Sequence, residues 1–168
     1  MLQVYGDTGM IYSKSAEYAV RATLHLAQLS DGRCAMAKDI AREEEIPAPF
    51  LAKILQELAR KGLLHSLKGP AGGFSLKRKA AEIRLLDIVG AVDGLSHYGQ
   101  CIAGFGRCPD EERCPLHDSW MALHSRIMDY LERNTVGSLV KSMNAKQKAA
   151  AKGAKKARES RKALRTSL

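Results

Sequence analysis

The apolar residues of this chain recur first with a helical period. Between Tyr12 and Leu29, the positions Ala16, Ala19, Val20, Leu24 and Ala27 lie three or four apart, which predicts an amphipathic helix closed by Ser30, Asp31 and Gly32. A shorter helix is predicted from about Ala35 to Glu44, burying Met36, Ile40 and Ala41. Ile46 and Pro47 then break the pattern, and Pro49 suits the first turn of a third helix, where a missing N–H is no loss. Leu51, Ile54, Leu55 and Leu58 form the buried face of that helix, and Gly62 closes it as a left-handed cap.

The period then changes. LLHSL and GFSL read as two short strands separated by KGPAGG, whose Gly and Pro residues suit a tight hairpin turn. Two helices joined by a tight turn and followed by a basic hairpin describe a winged helix-turn-helix. In that fold the second helix enters the DNA major groove and the hairpin reaches the backbone or the minor groove. LLDIVGAVDG follows as a short helix with Leu85, Ile88, Val89 and Val92 on one face and Gly94 as its stop. Beyond a cysteine-rich interruption, Leu116, Trp120, Leu123, Ile127 and Leu131 line one stripe of a long helix. A reader with one recognition helix gains affinity by binding two half-sites as a symmetric dimer, so this helix is expected to be shared with a second copy. The predicted fold class is mainly α with a small β-hairpin: a winged helix-turn-helix domain plus a long dimerisation helix.

Charge adds a division the pattern does not show. Residues 1 to 140 hold 17 basic and 17 acidic side chains, whereas residues 141 to 168 hold 10 basic side chains and only Glu159 as an acid, which accounts for the whole net charge of +9. The segment from residue 144 onward is low in complexity and nearly free of large apolar residues. It is therefore predicted to be disordered when free and to add salt-sensitive, sequence-blind affinity for nucleic acid. Residues 53 to 84 carry eight basic side chains against Glu57 and Glu82, a candidate phosphate-facing patch. No run of about 18 apolar residues exists to span a bilayer, and MLQVYGDTGM lacks the features of a secretory signal, so the cytoplasm is expected. No paired carboxylates, nucleophile and base set or phosphate loop appears, and the chain is not expected to be an enzyme.

The candidate chemistry sits in CIAGFGRCPDEERCPLHDSW, where the spacing is Cys-x6-Cys-x5-Cys-x2-His. A disulfide leaves one thiol unpaired and is disfavoured in a reducing compartment. Three thiolates and an imidazole suit tetrahedral zinc, but the close cysteine knuckle common in structural zinc sites is missing. An iron-sulfur cluster, being larger, accommodates the wide spacings shaped by Gly104, Gly106 and Pro109. Zinc or a bare cysteine thiol switch stays open as the alternative. Cys34 is read as a small buried hydrophobe, and His25, His65, His97 and His124 have no metal-spaced partners.

MIYSKSAEYAV, KDIAREEEIPAPFLAKIL, GLLHSLKGPAGGFSL, IVGAVDG and CPLHDSW, in this order and at these distances, resemble the Rrf2 family of bacterial winged-helix transcription regulators. The resemblance spans Met10 to about Met143. It implies a dimeric regulator, expected to be a repressor, whose binding to a double-stranded DNA operator is controlled by a cluster that senses redox, nitric oxide or iron-sulfur status. Cys101, Cys108 and Cys114 match the family's cluster ligands, and His117 matches a fourth ligand found in one branch. Glu17 matches a carboxylate that in another branch reaches the partner subunit's cluster, and so it rivals His117. A 2Fe-2S cluster goes with His117 and a 4Fe-4S cluster with Glu17, the former being favoured.

Two departures from the family pattern stand out. Ala52 occupies a position where an acidic residue is often found in the recognition helix, and the first two cysteines stand one residue further apart than in the histidine-bearing branch. The expected layout is an N-terminal extension (1–9), a winged helix-turn-helix domain (10–94), a cluster-binding loop (95–117), a dimerisation helix (116–140) and a basic tail (141–168). Base reading is expected from Ala48, Pro49, Phe50, Lys53 and Gln56. Backbone contacts are expected from Lys38 and from Lys68, Gly69 and Arg78 of the wing.

Overall fold

The computed structural model describes residues 11–29, 33–69, 72–95, 101 and 114–166, with side chains up to residue 152. Ser13, in extended backbone, starts helix α1 (Lys14–Gln28); its Oγ accepts the Ala16 N–H at 3.1 Å, and Glu17 places an acid in the first turn. The buried face of α1 is built mainly from small residues, Ala16, Ala19 and Ala22, with Val20 and Leu26. Thr23 is buried beside them and donates its hydroxyl to the Ala19 carbonyl at 2.7 Å. The small side chains let α1 act as the central post of the domain, with later helices and the wing packed around it.

Helices α2 (Ala37–Glu43) and α3 (Ala48–Arg60) form the helix-turn-helix. Their connection turns at Glu45, a non-glycine residue with φ of 53°, and α1 fixes it from behind. The Arg21 guanidinium donates to the Glu44 carbonyl and pairs with its carboxylate at 3.4 Å, while His25 Nδ1 lies 3.1 Å from Glu44 Oε1. His25 is thus a structural histidine. All four predicted core residues of α3, Leu51, Ile54, Leu55 and Leu58, are buried. Gly62, at φ 78°, closes the helix as expected: the Leu63 N–H returns to the Leu58 carbonyl at 2.9 Å and the Gly62 N–H to the Ala59 carbonyl at 3.0 Å.

The wing consists of β1 (Leu64–Leu67) and β2 (Gly73–Leu76), antiparallel, with Leu64 opposite Leu76 and Leu67 opposite Gly73. Ala35 extends this hairpin from the far edge of β2 through two bonds with Phe74, N–H to carbonyl at 3.0 and 2.8 Å. Gly73 permits the approach, since a Cβ there would stand 2.4 Å from the Ala35 carbonyl oxygen. A 3-10 turn (Ala80–Glu82) leads to α4 (Leu85–Val92), where the Asp87 carboxylate accepts the Arg84 backbone N–H at 3.0 Å and the Arg84 guanidinium at 3.1 Å.

Helix α5 (His117–Arg133) and helix α6 (Val136–Thr166) replace the single helix predicted over 116–140. The break has a cause in tertiary pairing. Residues 134 to 136 run beside 83 to 85, with the Leu85 N–H on the Asn134 carbonyl at 2.9 Å and the Val136 N–H on the Ile83 carbonyl at 2.8 Å. Val136 is fully buried, and Gly137 lies so close to Ala81 that a Cβ would meet its backbone nitrogen at 2.9 Å. The basic tail also differs from expectation, because α6 carries it as helix to Thr166 rather than leaving it disordered. Its Ala, Lys and Arg residues have high helix propensity, and the docked first turns supply the nucleus that an isolated segment must form at a cost.

Candidate nucleic-acid interface and cysteine site

Ala48, Pro49, Phe50, Lys53 and Gln56 are all exposed on α3, the first three in its opening turn and the others at successive turns behind them. The fold explains why: the opposite face of α3 is spent on the core. Phe50 is 45% exposed although its ring meets Tyr18 edge to face, with centroids 5.9 Å apart. Ser13, Lys14, Ser15, Tyr18, Pro47 and Phe50 line a groove of about 330 Å³ between the starts of α1 and α3. Lys38 is exposed on the first turn of α2, and Lys68 and Gly69 are exposed next to the wing tip, where Gly69 adopts φ 112°. Arg78 lies at the wing base instead, its guanidinium 3.7 Å from the Asp87 carboxylate. Among the described residues, it is the one expected DNA contact paired with an acid.

Cys101 and Cys114 are both buried, with their sulfurs 3.5 Å apart. A disulfide would bring them to about 2.05 Å, so these are two separate thiol groups. Two thiolates on one tetrahedral metal, with metal–sulfur bonds of about 2.3 Å, stand roughly 3.8 Å apart, close to the spacing observed. The pair therefore fits one edge of such a metal site. His117 begins α5, donating its backbone N–H to the Cys114 carbonyl at 3.1 Å, and its side chain is half-buried. Cys108 lies outside the described residues. Among the described residues, no three His, Cys, Asp or Glu side chains converge to hold a metal ion.

Glu17 is held by Lys14 at 2.7 Å. It also lies near Tyr12, whose phenol is raised above its ordinary value by burial first and then by the charges of Tyr130 and Glu17. Cys34 is half-buried between α1 and α2, away from the cysteine pair in the chain and part of no metal-ligating group among the described residues.

Asp93 is a residue that the sequence reading missed. At the end of α4, just before the cysteine segment, it accepts the Ser13 N–H on Oδ2 at 2.8 Å and the Ser13 hydroxyl on Oδ1. Ser13 could have been found as a helix cap, since it precedes an apolar periodic run; its partner 80 residues away leaves no local signal. Helix α5 behaves differently along its length. Leu131 is buried and Ile127 and Met128 pack on the core, but Leu116, Met121, Leu123 and Tyr130 are exposed.

The family profile Rrf2, iron-dependent transcriptional regulator, matches residues 12–142. An Aquifex aeolicus protein assigned as an HTH-type transcriptional regulator is 35% identical over 133 residues, covering 78% of this chain and 92% of that protein. The transcriptional regulator IscR of Vibrio campbellii is 33% identical, covering 79% of this chain and 78% of its own. Among solved structures, the oxidized form of Staphylococcus aureus CymR superimposes with a TM-score of 0.62 at 26% identity, covering 78% of this chain and 96% of that one.

Proposed function

The chain belongs to the Rrf2 family of transcriptional regulators, and from that premise we propose that it represses transcription as a homodimer whose operator binding is set by an iron-sulfur cluster on Cys101, Cys108, Cys114 and His117. The observation that carries this reading is the buried pair of thiols, 3.5 Å apart, at the entry to α5. A bound cluster, 2Fe-2S in this reading, supplies a redox-active centre whose reduction potential the imidazole raises.

The protein's own residues connect that site to DNA. Asp93 fixes the start of the cysteine segment to Ser13 and α1, and Cys114 and His117 fix its end to α5. The far end of α5 is anchored through Leu131 and the 134–136 pairing. A rearrangement at Cys101 and Cys114 therefore acts on one end of a helix whose other end is clamped to the winged head. Since the exposed face of α5 is the expected dimer seam, the readout is the spacing of two recognition helices against half-sites about 34 Å apart. Ala48, Pro49, Phe50, Lys53 and Gln56 read bases; Lys38, Lys68, Gly69 and Arg78 hold phosphates, Arg78 by exchanging Asp87 for DNA. The coupling available to such a device is about 1 to 3 kcal/mol, or 5- to 150-fold in affinity.

The same 3.5 Å approach favours one rival reading, a thiol switch in which an oxidant removes two electrons and two protons to join Cys101 to Cys114. Anaerobic purification separates the two. Brown protein containing iron and acid-labile sulfide supports the cluster, with loss in His117→Ala and retention in Glu17→Ala fixing the fourth ligand. Colourless protein with one zinc per chain, or with operator affinity that follows the oxidation state of metal-free thiols, overturns it.

A further inference from the structure

Helix α6 is rooted in the winged domain and then leaves it. Val136 is buried, Leu139 and Val140 pack on the core, and Gly137 abuts Ala81. From Asn144 to Lys152 the side chains are exposed without interruption. The stretch from Lys141 to Thr166 is 26 residues of helix, about 39 Å long. It carries 10 basic residues and one acid. At 100° per residue, positions 141, 148, 152, 155 and 162 fall within about 80° of the helix circumference, so five lysines share one stripe along the axis.

The composition narrows what this arm can bind. A helix that docks in a protein groove presents large apolar anchors every three or four residues, and one that lies on a membrane presents an apolar face. Between Asn144 and Thr166 the single large apolar residue is Leu164. An array of like charges with no apolar anchor suits a regular polyanion, and the domain that roots the arm is a DNA-binding one.

We propose that α6 is a second DNA-contacting element, a helical arm whose lysine stripe tracks the phosphate backbone of duplex DNA flanking the operator. Its length matches about one turn of the double helix, so it extends the site beyond what the recognition helix and wing cover. This inference rests on the DNA-binding reading of the winged head and is independent of the cluster.

The test compares the full chain with a variant carrying Lys148→Gln, Lys152→Gln, Lys155→Gln and Lys162→Gln, changes that keep helix propensity. Fluorescence anisotropy with mixed-sequence duplexes of 20 and 40 base pairs, between 50 and 300 mM salt, reads the affinity. The wild type should bind the longer duplex more tightly, and the variant should lose that advantage. The variant's slope of log affinity against log salt should flatten by about 3 to 4 per protomer. Equal slopes for the two proteins, both binding, overturn the arm while leaving the winged head intact; binding by neither overturns both readings. If poly-glutamate of matched charge displaced the wild type as well as unlabelled duplex does, the arm would be a site for acidic protein and the proposal would fail.

Discussion

Ser13 and Asp93 join the two ends of the winged domain: the Asp93 carboxylate accepts both the backbone N–H and the hydroxyl of Ser13, while the same hydroxyl caps α1 through the Ala16 N–H. Hydrogen bonds to a charged group contribute about 1.5 to 3 kcal/mol, and loss of a serine cap costs about 1. Asp93→Ala should therefore destabilise the fold by about 2 kcal/mol, and Ser13→Ala, which loses both the cap and the hydroxyl bond to Asp93, by about 2 as well. Urea unfolding of both and of the double variant gives a coupling energy, expected near 1 kcal/mol. A coupling of zero would mean the two residues act separately.

Asp87 gives the domain a pH-dependent increment. Burial alone pushes its carboxyl up, but the Arg84 N–H at 3.0 Å, the Arg84 guanidinium at 3.1 Å and the charge of Arg78 outweigh burial and hold it below its ordinary value. The folded form thus releases this proton more readily than the unfolded chain. The contribution is complete above the unfolded aspartate value near about 3.9 and is lost as pH falls through the lower folded value. Asp87→Asn should reduce stability at pH 7 and cost much less at pH 3. The same cost at both values, measured by denaturant unfolding, would contradict this account.

Leu123 is 51% exposed on α5. Leu123→Glu should leave the circular dichroism and urea midpoint of the domain nearly unchanged while shifting sedimentation from dimer to monomer. An unaltered dimer would remove this face of α5 from the subunit interface.

Lys68 stands exposed beside the wing tip. Lys68→Ala should weaken binding to every duplex sequence by a similar factor and flatten the salt slope by about 0.9, the release of roughly one counterion. A changed base preference at one operator position would instead make Lys68 a base reader.

Much of this protein was legible from local pattern. The helices around Ala19, Ile40, Leu55 and Val89, the cap at Gly62 and the hairpin between Leu64 and Leu76 follow from periodicity and turn chemistry, because each depends on neighbours within a few positions. The basic segment and the cysteine spacing were equally visible. Tertiary structure decided what rests on distant partners. The 83–85 pairing ended α5 and started α6 where one helix to residue 140 was expected, the docked Val136 root turned a low-complexity tail into a helical arm, and Asp93 found Ser13. It also brought Cys101 and Cys114 to 3.5 Å. Residue order records propensity and period, but which hydrogen-bonding and thiol groups meet across the core depends on how whole elements pack, and no short stretch of sequence carries that information.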